Sequence, residues 1–237
     1  IRFQKYSTTG TGLALQVVEG SHFTVQRGEI NTTLGSELTL AVNLDTAVNL
    51  SRSFIMATSR INSSTSTGHP RAFWTAEFTN STRVLLTRGV TGTNSTVSWQ
   101  VIDWDGASVV NGSIASSKTP TSVNLSTAVN LSQSFIVSSI RSDTTVSRDI
   151  MSSVAFENAS IISAYRHGAT GTTTSYYFAV SSLDISLWSG YYYYNATATD
   201  QSVFINSSLN LTRSLNLHTS ATTALSGNFN RALVTSN

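Results

Sequence analysis

The chain writes one phrase three times. "TAVNLSRSFIM" spans Thr46–Met56, "TAVNLSQSFIV" spans Thr127–Val137, and a degraded "SSLNLTRSLNL" begins at Ser207. A period of about 80 residues in a chain of 237 reduces the fold to one small unit repeated along the chain. Other segments keep the same step. "LQVVEGSHFTVQRGEI" from Leu15 aligns without a gap on "WQVIDWDGASVVNGSI" from Trp99, and "YFAVSSLDISLWSGYY" from Tyr177 keeps Gly190 where Gly28 and Gly112 stand. "RAFWTAEFTN" from Arg71 matches "RDIMSSVAFEN" from Arg148 and "RALVTSN" from Arg231. "RVLLTRGVTGT" from Arg83 matches "IISAYRHGATG" from Ile161, and the opening "IRFQKYSTTGTG" fits the same slot. This phase divides the chain into units at 1–80, 81–158 and 159–237.

Each unit reads as β. "VSWQVIDW", "SFIMATSRI", "RAFWTAEF" and "SVFINSSL" alternate or run apolar over five to eight residues, bounded by Gly, Asn, Asp and Ser. Valine, isoleucine, threonine and aromatics suit a pleated, half-buried surface. "DWDGAS" at 103–108 carries the Asp-Gly signal of a tight hairpin. No segment carries a capped stripe of helical period. The expectation is an all-β chain: a tandem array of three small, Ig-like β-sandwich units of about six strands each, strung as separate beads. Propeller blades use four strands and at least four blades, which these numbers do not fit.

Composition narrows the setting. Charged residues are 11% of the chain, against about 25% in ordinary soluble domains. Serine and threonine fill the gap. A net charge of +2 gives no field for nucleic acid or an anionic membrane, and no apolar run is long enough to span a bilayer. The absence of cysteine excludes disulfides and thiolate metal sites. A cysteine-free exported chain of this kind points to a prokaryotic or viral source.

Asparagine followed by any residue and then Ser or Thr occurs at Asn31, Asn49, Asn62, Asn80, Asn94, Asn111, Asn124, Asn130, Asn158, Asn195, Asn206 and Asn210. Chance in so Ser/Thr-rich a chain gives about five or six such sites. The excess is not scattered. Asn49, Asn130 and Asn210 share one position of the repeated phrase, and Asn80 and Asn158 share another. These twelve are the expected N-glycosylation sites, which places the protein outside the cell, secreted or at its surface.

"RVLLTRG" at 83–89 lies between two copies of the other elements, and sequence leaves open whether it completes the unit before it or the one after. If it belongs to the preceding unit, residues 1–9 are a strand without a domain of their own, and a neighbouring molecule can accept it. Strand addition to an open sheet edge supplies a ladder of backbone hydrogen bonds. In "IRFQKYS" the alternation puts Ile1, Phe3 and Lys5 on one face, as the candidate polymerisation residues. If it belongs to the following unit, the chain is a set of self-contained domains.

With this leading strand, its Ser/Thr-rich β body, its dense sequons and its missing cysteines, the chain resembles the donor-strand-complemented extracellular filaments of prokaryotes. It is most similar to the glycosylated thread-like and pilus-like filaments of archaea. The likeness is architectural and covers the whole chain, and it departs from such pilins in having three units where one or two are usual. It implies a structural subunit that polymerises head to tail, with copies of itself and covalent N-glycans as partners, serving as adhesin, biofilm or surface scaffold.

Chemistry is thinly provided for. His22, His69, His167 and His218 are far apart, with no HExxH or HxH spacing, so neither a metal site nor a cofactor is expected. "DWDG" lacks the later ligands of a calcium loop, and no GxSxG or phosphate-binding glycine loop occurs. "SGYYYYNAT" at 189–197 sets four tyrosines beside a sequon, a stretch that core packing explains or that could stack on sugar. The expectation is no catalytic activity. The rival readings are a monomeric surface adhesin or carbohydrate-binding module, a viral tail-fibre or spike protein, and a glycosidase, for which no facing carboxylate pair is evident.

Overall fold

A computed structural model describes residues 22–32, 35–61, 71–116, 119–144, 150, 152–166 and 171–185. The described residues are all-β, with short 3-10 turns, among them Leu131–Gln133. The strands are β1 (Phe23–Asn31), β2 (Thr39–Asn43), β3 (Ser53–Ile61), β4 (Trp74–Asn80), β5 (Arg83–Arg88) and β6 (Ser95–Trp104). They continue with β7 (Ala107–Ser116), β8 (Thr121–Asn124), β9 (Ser134–Ser142), β10 (Ser152–Asn158), β11 (Ile161–Arg166) and β12 (Thr173–Ser182). The period-2 pattern decides which side chains turn inward. In β5, Val84, Leu86 and Arg88 are buried between more exposed neighbours, and Ile162, Ala164 and Arg166 repeat this in β11.

The strands form four three-stranded antiparallel sheets, ordered β1-β6-β3, β2-β5-β4, β7-β12-β9 and β10-β11-β8. The first two sheets share a core in which Ile55, Val97 and Val101 lie with Val42, Trp74, Ala76, Val84 and Leu86. The last two share another, built on Ile114, Tyr177 and Ala179 with Val154, Ile162 and Ala164. Each valine, leucine or isoleucine side chain among them taken out of water contributes roughly 1.5–3 kcal/mol. Each pair of facing sheets is compatible with a small sandwich of six strands.

The pairing answers the question left open by the sequence. Strand β5 lies between β2 and β4, so "RVLLTRG" completes the strands before it. Strand β6 likewise closes on β1 and β3. The strand sets therefore run Phe23–Trp104 and Ala107–Ser182, out of phase with the windows 1–80 and 81–158. A repeat fixes the length of a unit and not its starting point, and only the hydrogen bonds supply the origin. In each set the entry and exit strands are rung partners, Phe23 opposite Trp104 and Ala107 opposite Ser182.

Two expectations are corrected. The Asp-Gly step is a turn, with Gly106 at φ +91°, but it is not a hairpin: β6 and β7 belong to different sheets and do not pair. Both strands already have their ladder partners elsewhere, so the turn serves as the link between strand sets. The units are also not separate beads. The sheet β7-β12-β9 is buried on both faces, because Tyr177 and Ala179 turn towards β10-β11-β8 while Val109, Phe178 and Val180 join the core of the first set. It covers the side of the first sandwich where edge strands β3 and β4 meet. Phe135 packs on Phe54 (ring centroids 6.0 Å) and Phe178 on Phe78 (5.9 Å). The Ala76 N–H of edge strand β4 donates to the Ser139 hydroxyl at 3.0 Å.

The aligned glycines gain a reason from the register. Gly28 is the rung partner of Trp99, and Gly112 of Tyr177. A Cβ on Gly28 would stand 2.8 Å from the Trp99 ring, and one on Gly112 would stand 2.7 Å from the Tyr177 hydroxyl. Each glycine leaves the space over which its cross-strand aromatic lies. Gly112→Val is expected to destabilise by about 1–3 kcal/mol through overpacking, read as a lower urea midpoint.

Candidate functional site

Two places in each strand set hold the residues that the sequence singled out: a sequon-bearing end, and the slot of the middle strand. The sequon end is built by the repeated phrase. In the first set, the Leu44 and Val48 N–H groups donate to the carbonyls of Thr82 and Ser81, docking the 44–48 loop on the β4–β5 hairpin. Leu125 and Val129 dock in the same way on Ser160 and Ala159. Asn49 and Asn80 are thus brought to one end of the first set, and Asn130 and Asn158 to the corresponding end of the second.

These four sequons share a local geometry. The Asn49 Oδ1 accepts from the Ser51 N–H (3.1 Å) and hydroxyl (2.8 Å). The Asn80 Oδ1 accepts from the Thr82 N–H and hydroxyl, both at 2.9 Å. The Asn130 Oδ1 accepts from the Ser132 N–H (3.1 Å) and hydroxyl (2.8 Å), and the Asn158 Oδ1 from the Ser160 N–H (2.8 Å). An asparagine that bonds the backbone two residues on makes its own turn, so the sequon is also the turn signal. The hairpins at Asn80 and Asn158 contain no residue with positive φ, and each carries a register shift just before the asparagine. A bulge of this kind lets strands meet across a turn that lacks the usual glycine.

The other described sequons, Asn31, Asn94, Asn111 and Asn124, are also exposed. Asn31 accepts from the Thr96 hydroxyl, and Asn111 from the Tyr176 hydroxyl at 2.9 Å. Asn62, Asn195, Asn206, Asn210, the tyrosines at 191–194 and the polymerisation residues Ile1, Phe3 and Lys5 lie outside the described residues.

The middle-strand slot ends on a buried arginine, which sequence reasoning passed over. Arg88, 2% exposed, donates from Nε to the Glu37 carbonyl (2.6 Å) and from Nη1 to the carbonyls of Thr93 (2.7 Å) and Arg71 (3.3 Å). Its guanidinium lies 4.8 Å over the Trp74 ring, and Nη2 is 3.8 Å from a Glu37 carboxylate oxygen. Burial lowers the Arg88 pKa, and the Glu37 charge acts in the opposite direction. Arg166 occupies the same place in β11, donating to the Gly171 carbonyl and the Thr173 hydroxyl. The signal was present in the sequence: an arginine closes the apolar alternation in both copies.

The junction between the sets carries a surface ion-pair cluster. Arg52, one turn past Asn49, reaches Asp103 at 2.6 Å and Asp105 at 2.5 Å, and the Asn49 N–H donates to Asp103 at 2.9 Å. Gln133 replaces Arg52 in the second copy, so of the two described sets this clamp belongs to the first. Among the described residues no three His, Cys, Asp or Glu side chains stand where they could hold a metal ion, and no helix is long and apolar enough to cross a membrane.

No family model, curated protein or solved structure matches this chain.

Arg88→Ala removes the donor from three carbonyls, that of Thr93 buried and those of Glu37 and Arg71 part-buried, and is expected to destabilise by about 2–4 kcal/mol, measured by urea unfolding. Burial first, then the charges of Glu77 and Tyr177, raises the Tyr176 pKa from 10.0 to about 12. The folded state then holds that proton more tightly than the unfolded chain. Its contribution is full below pH 10 and is lost as pH rises towards about 12. Tyr176→Phe should flatten this fall in stability when unfolding is measured at pH 9 and pH 11.5.

Proposed function

We infer that the protein is a structural subunit of a secreted, N-glycosylated extracellular filament that polymerises head to tail by β-strand donation. The observation that carries this is the place of β5 and β11: each is the middle strand of a sheet whose two outer strands precede it in the chain. Ile1, Phe3 and Lys5 repeat, at the same spacing, Ile162, Ala164 and Arg166 of β11. Those are the residues which that strand turns inward. "LQVVEG" from Leu15 likewise repeats "WQVIDW" of β6, the middle strand of the other sheet. The third copies of the segments that lead into β3 and β4 begin at Ser207 and Arg231. Residues 1–20 of one molecule laid between such strands of the next would supply both middle strands together.

The physics favours this exchange. A strand inserted between two edges gains a ladder on each side, and alternate side chains fix its register. Apolar residues followed by a cation would place Lys5 where Arg88 and Arg166 meet backbone carbonyls. The contact joins unlike ends, so it propagates and does not close. Twelve sequons on a charge-poor chain support a sugar-coated surface, with solubility supplied by glycans where charges are few.

Negative-stain images of the native protein should show filaments, and deletion of residues 1–9 should leave soluble subunits. Lys5→Glu should block assembly and Lys5→Arg preserve it. A deletion variant that still polymerises removes the strand-donation mechanism. A protein that stays monomeric and binds sugars, with binding lost in Tyr192→Ala, is instead a carbohydrate-binding module. The intact mass should exceed 25.4 kDa and fall towards it when N-glycans are released.

A further inference from the structure

We propose that Glu19 of one molecule and Arg213 of the next form an ion pair that fixes the register of the strand exchange. That the partner is a second copy of this chain rests on the filament reading. The pairing of the two charges rests on how the described strand sets match one repeated position to another.

The sequence holds three copies of the phrase that leads into β3 and three of the segment that forms β6. At one position the phrase carries Arg52, then Gln133, then Arg213. At one position the segment carries Glu19 in "LQVVEG", Asp103 in "WQVIDW" and Ser181 in "YFAVSS". The ladders show which copy meets which. Ser53 is the rung partner of Asp103, and Ser134 is the rung partner of Ser181. Arg52 is thereby matched to Asp103, and Gln133 to Ser181. The copies left over are Arg213 and Glu19, a cation and an anion, both outside the described residues.

The matched positions change together. In the first set Arg52 Nε donates to Asp103 at 2.6 Å, and Asp103 also accepts from the Asn49 N–H at 2.9 Å. The Asp103 side chain is 11% exposed, so the pair is shielded from salt better than an open surface pair. In the second set the acid is gone and the base with it. The Ser181 hydroxyl meets that of Ser134 at 2.7 Å, and Gln133 accepts from the Asn130 amide nitrogen at 2.8 Å. A charge stands at one position only where its opposite stands at the other. The third phrase restores the base, and Glu19 is the acid that remains to meet it. The spacing agrees. Two residues separate the end of β6 from β7 at Ala107, and two separate Gly20 from β1 at Phe23. Ser21 stands at the place of Asp105, so the joint between molecules has one carboxylate where the first set has two. The charge adds what alternation lacks. A slip of two residues keeps the inward face of a strand inward, whereas an ion pair at one rung is lost by it.

Glu19→Arg and Arg213→Glu, each alone in the full-length chain, set like charges against each other at the joint. Each should raise the critical concentration for filament growth by about tenfold or more. Mixed in equal amounts, the two variants should co-polymerise near the wild-type concentration, because every joint of an alternating filament again pairs opposite charges. Glu19→Ser combined with Arg213→Gln copies the neutral pair of the second set, and should assemble with a weaker dependence on salt than the wild type. Single variants that assemble as the wild type does overturn the ion pair and leave strand donation standing. Single variants that are impaired and not rescued by mixing overturn it too, since the charges then act within one molecule. Rescue by mixing, in filaments that survive deletion of residues 1–9, keeps the pair and removes donation of the leading strand. Wild-type protein that forms no filament at any concentration overturns both.

Discussion

Every sheet among the described residues takes its middle strand from later in the chain than both of its edges. Strand β6 closes on β1 and β3, β5 on β2 and β4, and β12 on β7 and β9, while β11 joins β8 and β10. The outer strands of a sheet have no hydrogen bonds to one another, so each half-sandwich is open until its middle strand arrives. The ladder then forms on both edges at once, across loops that must first be closed at an entropic cost. The buried guanidinium at the end of β5, the glycines beneath Trp99 and Tyr177, and the sequon turns all act on this step. They set where the middle strand stops, how closely its neighbours approach, and how the chain doubles back to supply it.

The legible part of the fold was the local part. "SFIMATSRI" was read as a strand over the same nine residues that form β3, because its alternation and its flanking Asn and Ser signals are all within reach of one another. The illegible part was pairing. The allegiance of 83–88 and the fate of Asp105-Gly106 depend on which distant strands win the ladder, and no local pattern encodes that. The repeat gave the length of a unit without its origin. Fusion of the two sets through a sheet buried on both faces was equally hidden, since Val109, Val110, Phe178 and Ala179 read simply as apolar residues in strands. A buried arginine was overlooked because charged residues are expected outside unless paired. Its cage of carbonyls comes from Glu37, Arg71 and Thr93, three separate loops.

The candidate sites show the same division. Sequence alone identified the asparagines, and the coordinates add why four of them occupy equivalent places. Each asparagine shapes the turn it sits in, so losing one costs a turn as well as a sequon. The two roles reinforce one another in a chain that repeats its units. A residue kept for the turn keeps the sequon, and the repeat carries both into the next unit.

The rung between Phe23 and Trp104 has a mechanical meaning. The chain enters and leaves the first strand set on neighbouring strands at one end, and Ala107 and Ser182 do the same in the second. A pull along the backbone therefore runs along a common base line and bypasses the bodies of the sandwiches. Load falls on the terminal rungs one at a time, as a zipper is opened, beginning where the Phe23 and Trp104 rings lie 5.1 Å apart and Arg52 grips Asp103. Such a chain yields in small steps and lengthens under strain instead of snapping at a single threshold.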